Sequence, residues 1–465
     1  MVFSSLTFLF AYLPIVLAVY FIVPMRYRNF VLLLVSLFFY GWGEPIYVLM
    51  MVFSIFVNWI FGNYIGKYRI NDKSQAKKYL VYCVVFNLLL LGFFKYYDFF
   101  VSNLNAIGIS FIKPLGLGLP IGISFYTFQA MSYPIDIYRF DTDPQKSVIY
   151  FGAYVTMFPQ LIAGPIVRYK DIAKELKSRT IDAPLFYAGI ERFMIGLGKK
   201  VLLANNCGQI WEMVTALSDA RNSILTAWLG IICYAFQIYF DFSGYSDMAI
   251  GLGKMLGFTF LENFNYPYIA KSITDFWRRW HMSLSYWFRD YVYIPLGGNR
   301  KGFTRQICNI MIVWLLTGFW HGASWNFLFW GVFYGVVLII EKQFLLSRLE
   351  KAPTWISHVY TLLIVLFAWV LFAFTDFSKG LHYLGLMFGS SKIFANDITL
   401  YIIRNNFVLF VVSVLACTPI AKSKYNIFNK KEFKVVHPLL ILLALIICTA
   451  FIVDASYNPF LYFRF

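Results

Sequence analysis

The sequence predicts an all-α polytopic membrane protein with roughly eleven transmembrane helices and additional re-entrant or interfacial helices. Three observations lead to this fold class. Of the 465 residues, 60% are hydrophobic and only 14% are charged, whereas soluble domains have about 45 to 50% apolar and about 25% charged residues. The mean hydropathy is +0.65, and apolar runs of about one bilayer thickness recur along the chain. Soluble, disordered and disulfide-scaffold proteins are therefore excluded.

The basic residues outnumber the acidic ones, 40 to 23, which gives a formal charge of +17. They cluster in short stretches at residues 67–78, 168–179 and 422–434, as in the cytoplasmic loops of membrane proteins. No separate basic domain exists, so we expect no nucleic-acid partner. The six cysteines are scattered without a C-x-x-C pair and indicate neither a disulfide framework nor a metal site.

The first apolar run, residues 3–23, has no preceding Lys or Arg and no cleavage motif, and is therefore predicted to be a retained span. Arg26 and Arg28 follow it, which places the N-terminus outside the cytoplasm. Crossing parity then places loops 67–78, 342–351 and 422–434 inside and tail 457–465 outside. The predicted spans are residues 3–23, 30–42, 46–65, 80–101, 119–138, 148–167, 185–203, 224–242, 307–319, 325–340, 355–374, 401–420 and 436–453.

Two further segments, residues 244–260 and 275–295, are too short or too polar to span simply, and we expect re-entrant or interfacial helices there. Neither a flexible linker nor a transporter-like repeat divides the chain. The sequence therefore predicts a single integral domain over residues 1–465, with the motif-bearing core at about residues 119–341.

Histidine is scarce, and His321 stands apart from the other four because Trp320-His321-Gly322-Ala323-Ser324-Trp325 lies between two apolar runs. Ionisable groups at membrane depth are functional candidates by default. Burial disfavours imidazolium, so we expect a neutral ring that can act as a general base. The alternative is a hydrogen-bonded packing residue at a tight helix turn. The remaining histidines are His281, His358, His382 and His437.

Residues 275–291 form a second stretch rich in candidate groups. Its apolar members Trp277, Trp280, Leu284 and Trp287 recur at spacings of three and four, which predicts one amphipathic interfacial helix. His281 borders the apolar face of that helix, near water and headgroups. Its functional and its purely interfacial interpretations remain equally open. Arg278, Arg279 and Arg289 would point toward headgroups or phosphates.

Residues 241–247 place two acids and two hydroxyls where a span is expected to break. Asp241 and Ser243 could bind a polar substrate group, or the segment could cap helix ends. Capping and packing are favoured for Ser243 and Ser246. The sequence contains no H-E-x-x-H, G-x-S-x-G or Walker A motif.

Taken together, six segments resemble the membrane-bound O-acyltransferase superfamily, and within it the bacterial alginate O-acetyltransferase-like branch. The resemblance covers nearly the whole chain. It rests on Gly122-Ile123-Ser124-Phe125-Tyr126-Thr127-Phe128-Gln129, on residues 158–166, 241–251 and 263–299, on Phe319-Trp320-His321-Gly322-Ala323-Ser324-Trp325, and on residues 458–465.

The resemblance implies transfer of an acyl group, most often acetyl, to a hydroxyl of an extracytoplasmic polysaccharide. It implies that His321 is the catalytic histidine in a central funnel or tunnel, with His281 as the second motif histidine. The donor would be acetyl-CoA or an acyl carrier protein thioester, with no bound cofactor. Candidate substrate-binding residues are Trp320, Trp325, Asp241, Ser243, Arg278, Arg279, Asn299 and Arg300.

Members of this superfamily commonly work with a hydrolase-like extracytoplasmic acetyltransferase, which we expect as a partner beside membrane lipids and, as a further candidate, a cytoplasmic acyl carrier protein. The expected location is the bacterial plasma membrane, with both termini extracytoplasmic. Basic residues that flank the span before His321 suit the phosphates of coenzyme A or a pantetheine arm. Anionic-lipid anchoring explains each of them almost as well. They are Arg278, Arg279, Arg300, Lys301 and Arg305.

Two other functions remain open. One is D-alanyl transfer from a carrier-protein thioester toward teichoic acid, which the same superfamily also performs. The other is a non-enzymatic polysaccharide or lipid transporter, which would need polar residues along several facing helices. The acceptor is equally open among alginate, peptidoglycan, cellulose and another exopolysaccharide.

Overall fold

The computed structural model describes residues 1–162, 164–420, 436–455, 457–459 and 461. Helices and the turns between them make up this part of the chain, and no β-strand occurs in it. The all-α fold class is therefore confirmed. The basic loop 422–434 lies outside the described residues, as do four of the last five positions of the terminal motif.

The α-helices are listed here in chain order. They are α1 Leu13–Ile22, α2 Met25–Gly41, α3 Tyr47–Tyr68, α4 Lys73–Ala106, α5 Ile123–Tyr138, α6 Val148–Thr156, α7 Phe158–Leu161, α8 Tyr169–Lys177, α9 Ala183–Gly198, α10 Asn205–Thr215, α11 Ile224–Met255, α12 Ile273–Arg279, α13 Met282–Phe288, α14 Phe303–His321, α15 Trp325–Ile340, α16 Leu346–Lys351, α17 Thr354–Ala373, α18 Phe377–Met387, α19 Asp397–Asn405, α20 Phe407–Ala416 and α21 Val436–Asp454.

Six helical segments in the described part of the chain are long and apolar enough to cross a bilayer: Tyr47–Tyr68, Lys73–Ala106, Ile224–Met255, Trp325–Lys351, Thr354–Ala373 and Val436–Asp454. The pair α19 and α20, bent by 61°, would make a seventh if it forms one span. The chain is thus a multi-pass membrane protein, but the expected count of roughly eleven crossings is not confirmed. Some apolar runs are broken; the run 148–167, for example, is helical only to Thr156 and then over the four residues of α7.

The chain divides into two compact units. Unit 1 contains Met1–Phe193 and Tyr245–Leu261, and unit 2 contains Met194–Gly244 and Glu262–Phe465. Within unit 1, the Asn58 and Asn87 side chains of α3 and α4 hydrogen-bond each other at 2.8 and 3.1 Å. Such polar pairs hold helices together where lipid supplies no hydrophobic driving force. The single integral domain over residues 1–465 stays a prediction.

In unit 2, α14 and α15 form a tight hairpin across the three residues 322–324. The two helices approach so closely that a Cβ atom at Gly318 would overlap the carbonyl oxygen of Phe327, and one at Gly331 would overlap that of Trp314. Only glycine allows backbones to meet at this distance. The contact fixes the end of α14, and therefore His321, against α15.

Two sequence predictions about helix breaks are wrong. First, α11 continues without a break through residues 241–247, so Ser243 and Ser246 do not cap helix ends. Asp241, one of the two acids that suggested the break, is paired with a lysine: Lys200 Nζ lies 2.7 Å from Asp241 Oδ1 within unit 2. A paired carboxylate can remain in a buried helix.

Second, residues 275–291 are not one helix. The segment divides into α12 and α13, and a short π-helical turn, Arg289–Tyr293, follows α13. The break falls at His281, which adopts a left-handed backbone conformation with φ 44° and ψ 53°. Such a conformation is uncommon for a residue with a Cβ and needs support from its surroundings.

Candidate active site

A cavity of about 360 Å³ lies in unit 2 between α12, α13, α14 and the segment that follows α15. Its rim carries the exposed basic side chains of Arg278, Arg289 and Lys342, whereas its buried lining includes His281 and Thr317. The cavity therefore passes from a cationic rim to an apolar interior that contains an imidazole. The other lining residues are Thr274, Trp277, Leu284, Ser285, Phe288, Tyr293, Ile310, Val313, Trp314, Leu338 and Leu346.

One face of α14 forms a wall of this cavity. Ile310, Val313, Trp314 and Thr317 line it at the spacing of three and four residues that places side chains on a common helix face. His321 lies four residues beyond Thr317, so the same face continues to its ring. His321 ends α14 and is 5% exposed.

The His321 ring is surrounded by aromatic side chains. Its centroid lies 5.1 Å from Trp320, 5.2 Å from Trp330 and 5.4 Å from Phe372, and all three contacts are edge-on. Edge-to-face packing at these distances restricts ring orientation. The buried position predicted for this histidine is confirmed by the structure.

Trp320 brings the two histidines to one place. Its ring lies 5.1 Å from His321 and 6.0 Å from His281, and the residue is 3% exposed. Trp325, expected at the same site, is 55% exposed at the start of α15 and packs against Phe329 at 6.3 Å. It is not among the residues that line the cavity.

His281 is held by polar groups. Asn263 Oδ1 lies 3.1 Å from His281 Nδ1 and accepts hydrogen bonds from the backbone N–H of Ser283 at 3.2 Å and from its hydroxyl at 2.9 Å. The Met282 backbone N–H donates to the Asn263 carbonyl at 3.0 Å. One asparagine therefore supports the whole left-handed turn between α12 and α13.

The expectation that His281 lies close to water is wrong, because the residue is 1% exposed. It also lies outside the helices that could span a membrane. Burial holds the pKa of His281 well below its usual range, and the neighbouring His321 lowers it further. The ring is therefore neutral near pH 7.

A buried carboxylate anchors the helix that carries Arg278. Glu341, fully buried, accepts hydrogen bonds from the backbone N–H groups of Ile273 at 2.6 Å and Thr274 at 2.8 Å and from the Thr274 hydroxyl at 2.7 Å. Negative charge at a helix N-terminus satisfies its free N–H groups and complements the helix dipole. Glu341 thus fixes the position of α12 beside the cavity.

The other candidate binding residues divide by location. Arg278 lines the cavity, but Arg279 is paired with Asp275 at 2.8 Å and does not. Asn299 and Arg300 are exposed in the turn before α14 and lie outside the cavity lining.

Asp241, besides its contact with Lys200, accepts a hydrogen bond from the Leu461 backbone N–H at 2.9 Å. Lys200 also donates to the Pro459 carbonyl. Ser243 is buried within α11. The structure therefore brings together Arg278, His281, Trp320 and His321, and gives Asp241 a contact with the C-terminal segment.

Sequence reasoning missed four residues of the site: Asn263, Thr317, Glu341 and Lys342. Two of them carried a usable signal. Thr317 lies one helical turn before His321, and Glu341 is an acid at the end of an apolar run. Asn263 begins the motif segment 263–299, but no local pattern indicated its contact with His281, which lies 18 positions away.

Comparison with known proteins places this site in a family. The sequence model of the membrane-bound O-acyltransferase family matches residues 141–383, a range that contains every residue of the cavity. The chain belongs to the membrane-bound O-acyltransferase family. It is therefore an O-acyltransferase, and the resemblance seen in its motifs is confirmed.

Several relatives of this acyltransferase are known by name. A probable alginate O-acetylase of Azotobacter vinelandii is 46% identical over 80% of this chain and 75% of its own length. A probable alginate O-acetylase of Pseudomonas putida is 39% identical over the full length of both chains. A peptidoglycan O-acetyltransferase of Helicobacter pylori is 31% identical over 100% of this chain and 98% of its own length.

Proposed function

We propose that this O-acyltransferase moves an acetyl group from a cytoplasmic thioester donor across the membrane for O-acetylation of an extracytoplasmic polysaccharide such as alginate. The observation that carries the proposal is the cavity, which has a cationic rim and leads toward two buried histidines. The names of the relatives, alginate O-acetylase and peptidoglycan O-acetyltransferase, support the acetyl group and the polysaccharide acceptor.

The lining of the cavity fits the chemistry of a thioester donor. Guanidinium and ammonium groups such as Arg278, Arg289 and Lys342 bind phosphates well. Apolar side chains deeper in the cavity suit the thin, largely uncharged arm of a pantetheine. Acetyl-CoA is the proposed donor, and the thioester would then reach the neighbourhood of His281 with its phosphates left at the rim.

His321 is the proposed general base. Its neutral ring takes the proton of the acceptor hydroxyl as the oxygen attacks the thioester carbonyl, the new C–O bond forms, and the C–S bond breaks. The imidazolium of His321 then gives this proton to the leaving thiolate, which restores the neutral ring and balances charge and atoms. His281, which lines the cavity, supports the reaction along the donor route.

The chain acts as one integral domain in the bacterial plasma membrane, with both termini extracytoplasmic. A hydrolase-like acetyltransferase on the outer side receives the acetyl group or completes its transfer to the polymer.

Sealed vesicles of known orientation test this function. Radiolabelled acetyl-CoA is supplied only on the cytoplasmic side, with the polysaccharide and the partner acetyltransferase on the other side. Labelled polymer is the expected result for the wild type. Vesicles with His321→Ala at matched abundance should give no labelled polymer, which would show that this chain catalyses the labelling. Labelling that requires donor on the extracytoplasmic side contradicts the proposed direction.

A parallel arm separates acetyl transfer from D-alanyl transfer. A teichoic acid D-alanyltransferase of Bacillus subtilis is 32% identical over 57% of this chain, which makes this the second candidate function. The donor in that arm is a D-alanyl carrier-protein thioester and the acceptor is teichoic acid. Product in that arm alone would replace the acetyl proposal.

A further inference from the structure

The side-chain amide of Asn263 has only one orientation that fits its contacts. The backbone N–H of Ser283 can only donate, and it points to Asn263 Oδ1 at 3.2 Å. The atom at that position must therefore be the carbonyl oxygen rather than the amide nitrogen. This oxygen is the one that lies 3.1 Å from His281 Nδ1.

An amide oxygen accepts hydrogen bonds and cannot donate them, so the hydrogen in this contact belongs to His281 Nδ1. A neutral imidazole carries one hydrogen, and Nε2 is then the nitrogen with the lone pair. Asn263 does not line the cavity, whereas His281 does. Nε2 itself is fully buried beside the cavity.

We propose that Asn263 is a positioning residue that keeps His281 in the Nδ1–H form, so that Nε2 is a hydrogen-bond acceptor at the wall of the acyl-donor cavity. The inference rests on the proposed function for the role of that cavity. An acceptor nitrogen there can bind a thiol S–H or an amide N–H of a pantetheine arm. It cannot donate a hydrogen bond to a thioester carbonyl.

The groups around His281 favour the neutral ring. His321 lies on α14, and the basic groups of the cavity are Arg278 on α12, Arg289 after α13 and Lys342 after α15. The ring contacts of His281 with Phe242, at 4.7 Å, and with Trp320 are uncharged. No acidic residue lines the cavity, so a proton on Nε2 would find no compensating charge in that lining.

Nitrogen NMR of the full chain in detergent, with ¹⁵N-labelled histidine, reads the tautomer without any activity assay. The His281 signals are assigned as those that disappear in His281→Gln. We expect a protonated Nδ1 and an unprotonated Nε2 for His281 in the wild type at pH 7. The opposite tautomer, or an equal mixture of the two, would overturn the inference while leaving the proposed reaction untouched.

Two substitutions of Asn263 test the consequence for turnover. Asn263→Leu removes the acceptor at similar volume, and we expect loss of the Nδ1–H preference and a fall in kcat of about 2- to 10-fold, the rate equivalent of one hydrogen bond. Asn263→Asp keeps the acceptor and adds negative charge near the ring. It should therefore retain the tautomer and most activity at neutral pH, with the acid limb of the rate profile moved to higher pH.

Ser283→Ala is the matched control, because it removes a second hydrogen bond to the same oxygen without touching His281. It should keep the wild-type tautomer and pH profile. If Asn263→Leu does not fold, the pH profile of Asn263→Asp tests the proposal instead. An acid limb at the wild-type pH together with wild-type kcat would contradict the positioning role of Asn263. Absence of acyl transfer in the wild type would instead contradict the proposed function.

Discussion

The two histidines of the candidate site, His281 and His321, are held by different kinds of contact. His281 stands in a left-handed turn fixed by the amide of Asn263, and its orientation depends on hydrogen bonds. His321 ends α14 among the edges of Trp320, Trp330 and Phe372, and its orientation depends on ring packing. A hydrogen bond to one ring nitrogen selects a tautomer, whereas edge-on aromatic contacts restrict the orientation of the ring without selecting a tautomer.

This difference suits two different tasks. The proposed general base, His321, has a ring orientation restricted by three aromatic neighbours. A residue that orients a bound donor benefits from a fixed hydrogen-bond polarity, and His281 has that. Four predictions test this division, beginning with the largest expected effect.

Replacing His321 should abolish the reaction. Loss of a general base typically costs about 10² to 10⁴ in rate, so His321→Ala should insert normally and show almost no acetylated polymer. His382→Ala is the control, because His382 is mostly exposed on α18 and contacts Asp219. Near-normal acetylation by His321→Ala at equal membrane abundance would remove this residue from the mechanism.

Glutamine substitutions compare the two histidines directly. Glutamine offers an acceptor oxygen but cannot take up a proton, so His281→Gln should retain about 10% or more of wild-type activity while His321→Gln falls with the alanine variant. Initial rates with labelled acetyl-CoA measure both. If His281→Gln is the less active variant, the two roles are reversed.

Neutralising Glu341 should weaken the attachment of α12 beside the cavity. Glu341→Gln keeps one acceptor but loses the charge that binds the N-terminus of α12, and hydrogen bonds to charged groups contribute about 1.5 to 3 kcal/mol each. We expect a lower midpoint of thermal unfolding and a several-fold lower kcat. Glu350→Gln, at an exposed position nearby, should change neither quantity.

Removing one rim cation should give the smallest effect. Arg278→Ala should raise the KM for acetyl-CoA about 3- to 10-fold with little change in kcat, since one basic residue near an anionic group contributes about 1 kcal/mol. The difference from wild type should shrink at high salt. Arg279→Ala, paired with Asp275 and outside the cavity, is the control. An equal rise in KM for both variants would argue against a specific phosphate contact.

The sequence predicted well those features that depend on local pattern. The apolar runs at 307–319 and 325–340 correspond to α14 and α15. The apolar periodicity of residues 275–291 correctly indicated helical structure with a buried face, although the segment forms two helices rather than the one predicted. His321 could be selected because it is an ionisable residue between two apolar runs. None of these inferences needed a contact between distant segments.

The features that were missed depend on such contacts. The break at His281 has no glycine or proline to announce it, and the helical period continues across it, because the turn is stabilised from Asn263. Likewise α11 continues through Asp241 because Lys200 supplies the opposite charge. In both cases the deciding partner lies 18 or more positions away in the chain, where periodicity carries no information.

The glycine contact between α14 and α15 has a mechanical consequence. Side chains at an ordinary helix interface can change rotamer and absorb a small displacement, but Gly318 and Gly331 have none, and backbone meets backbone. A tilt or shift of α15, which begins a candidate membrane span, should therefore displace α14 as well. His321 lies at the end of α14 and would move with it. A change in bilayer thickness that tilts α15 would therefore also change the position of His321.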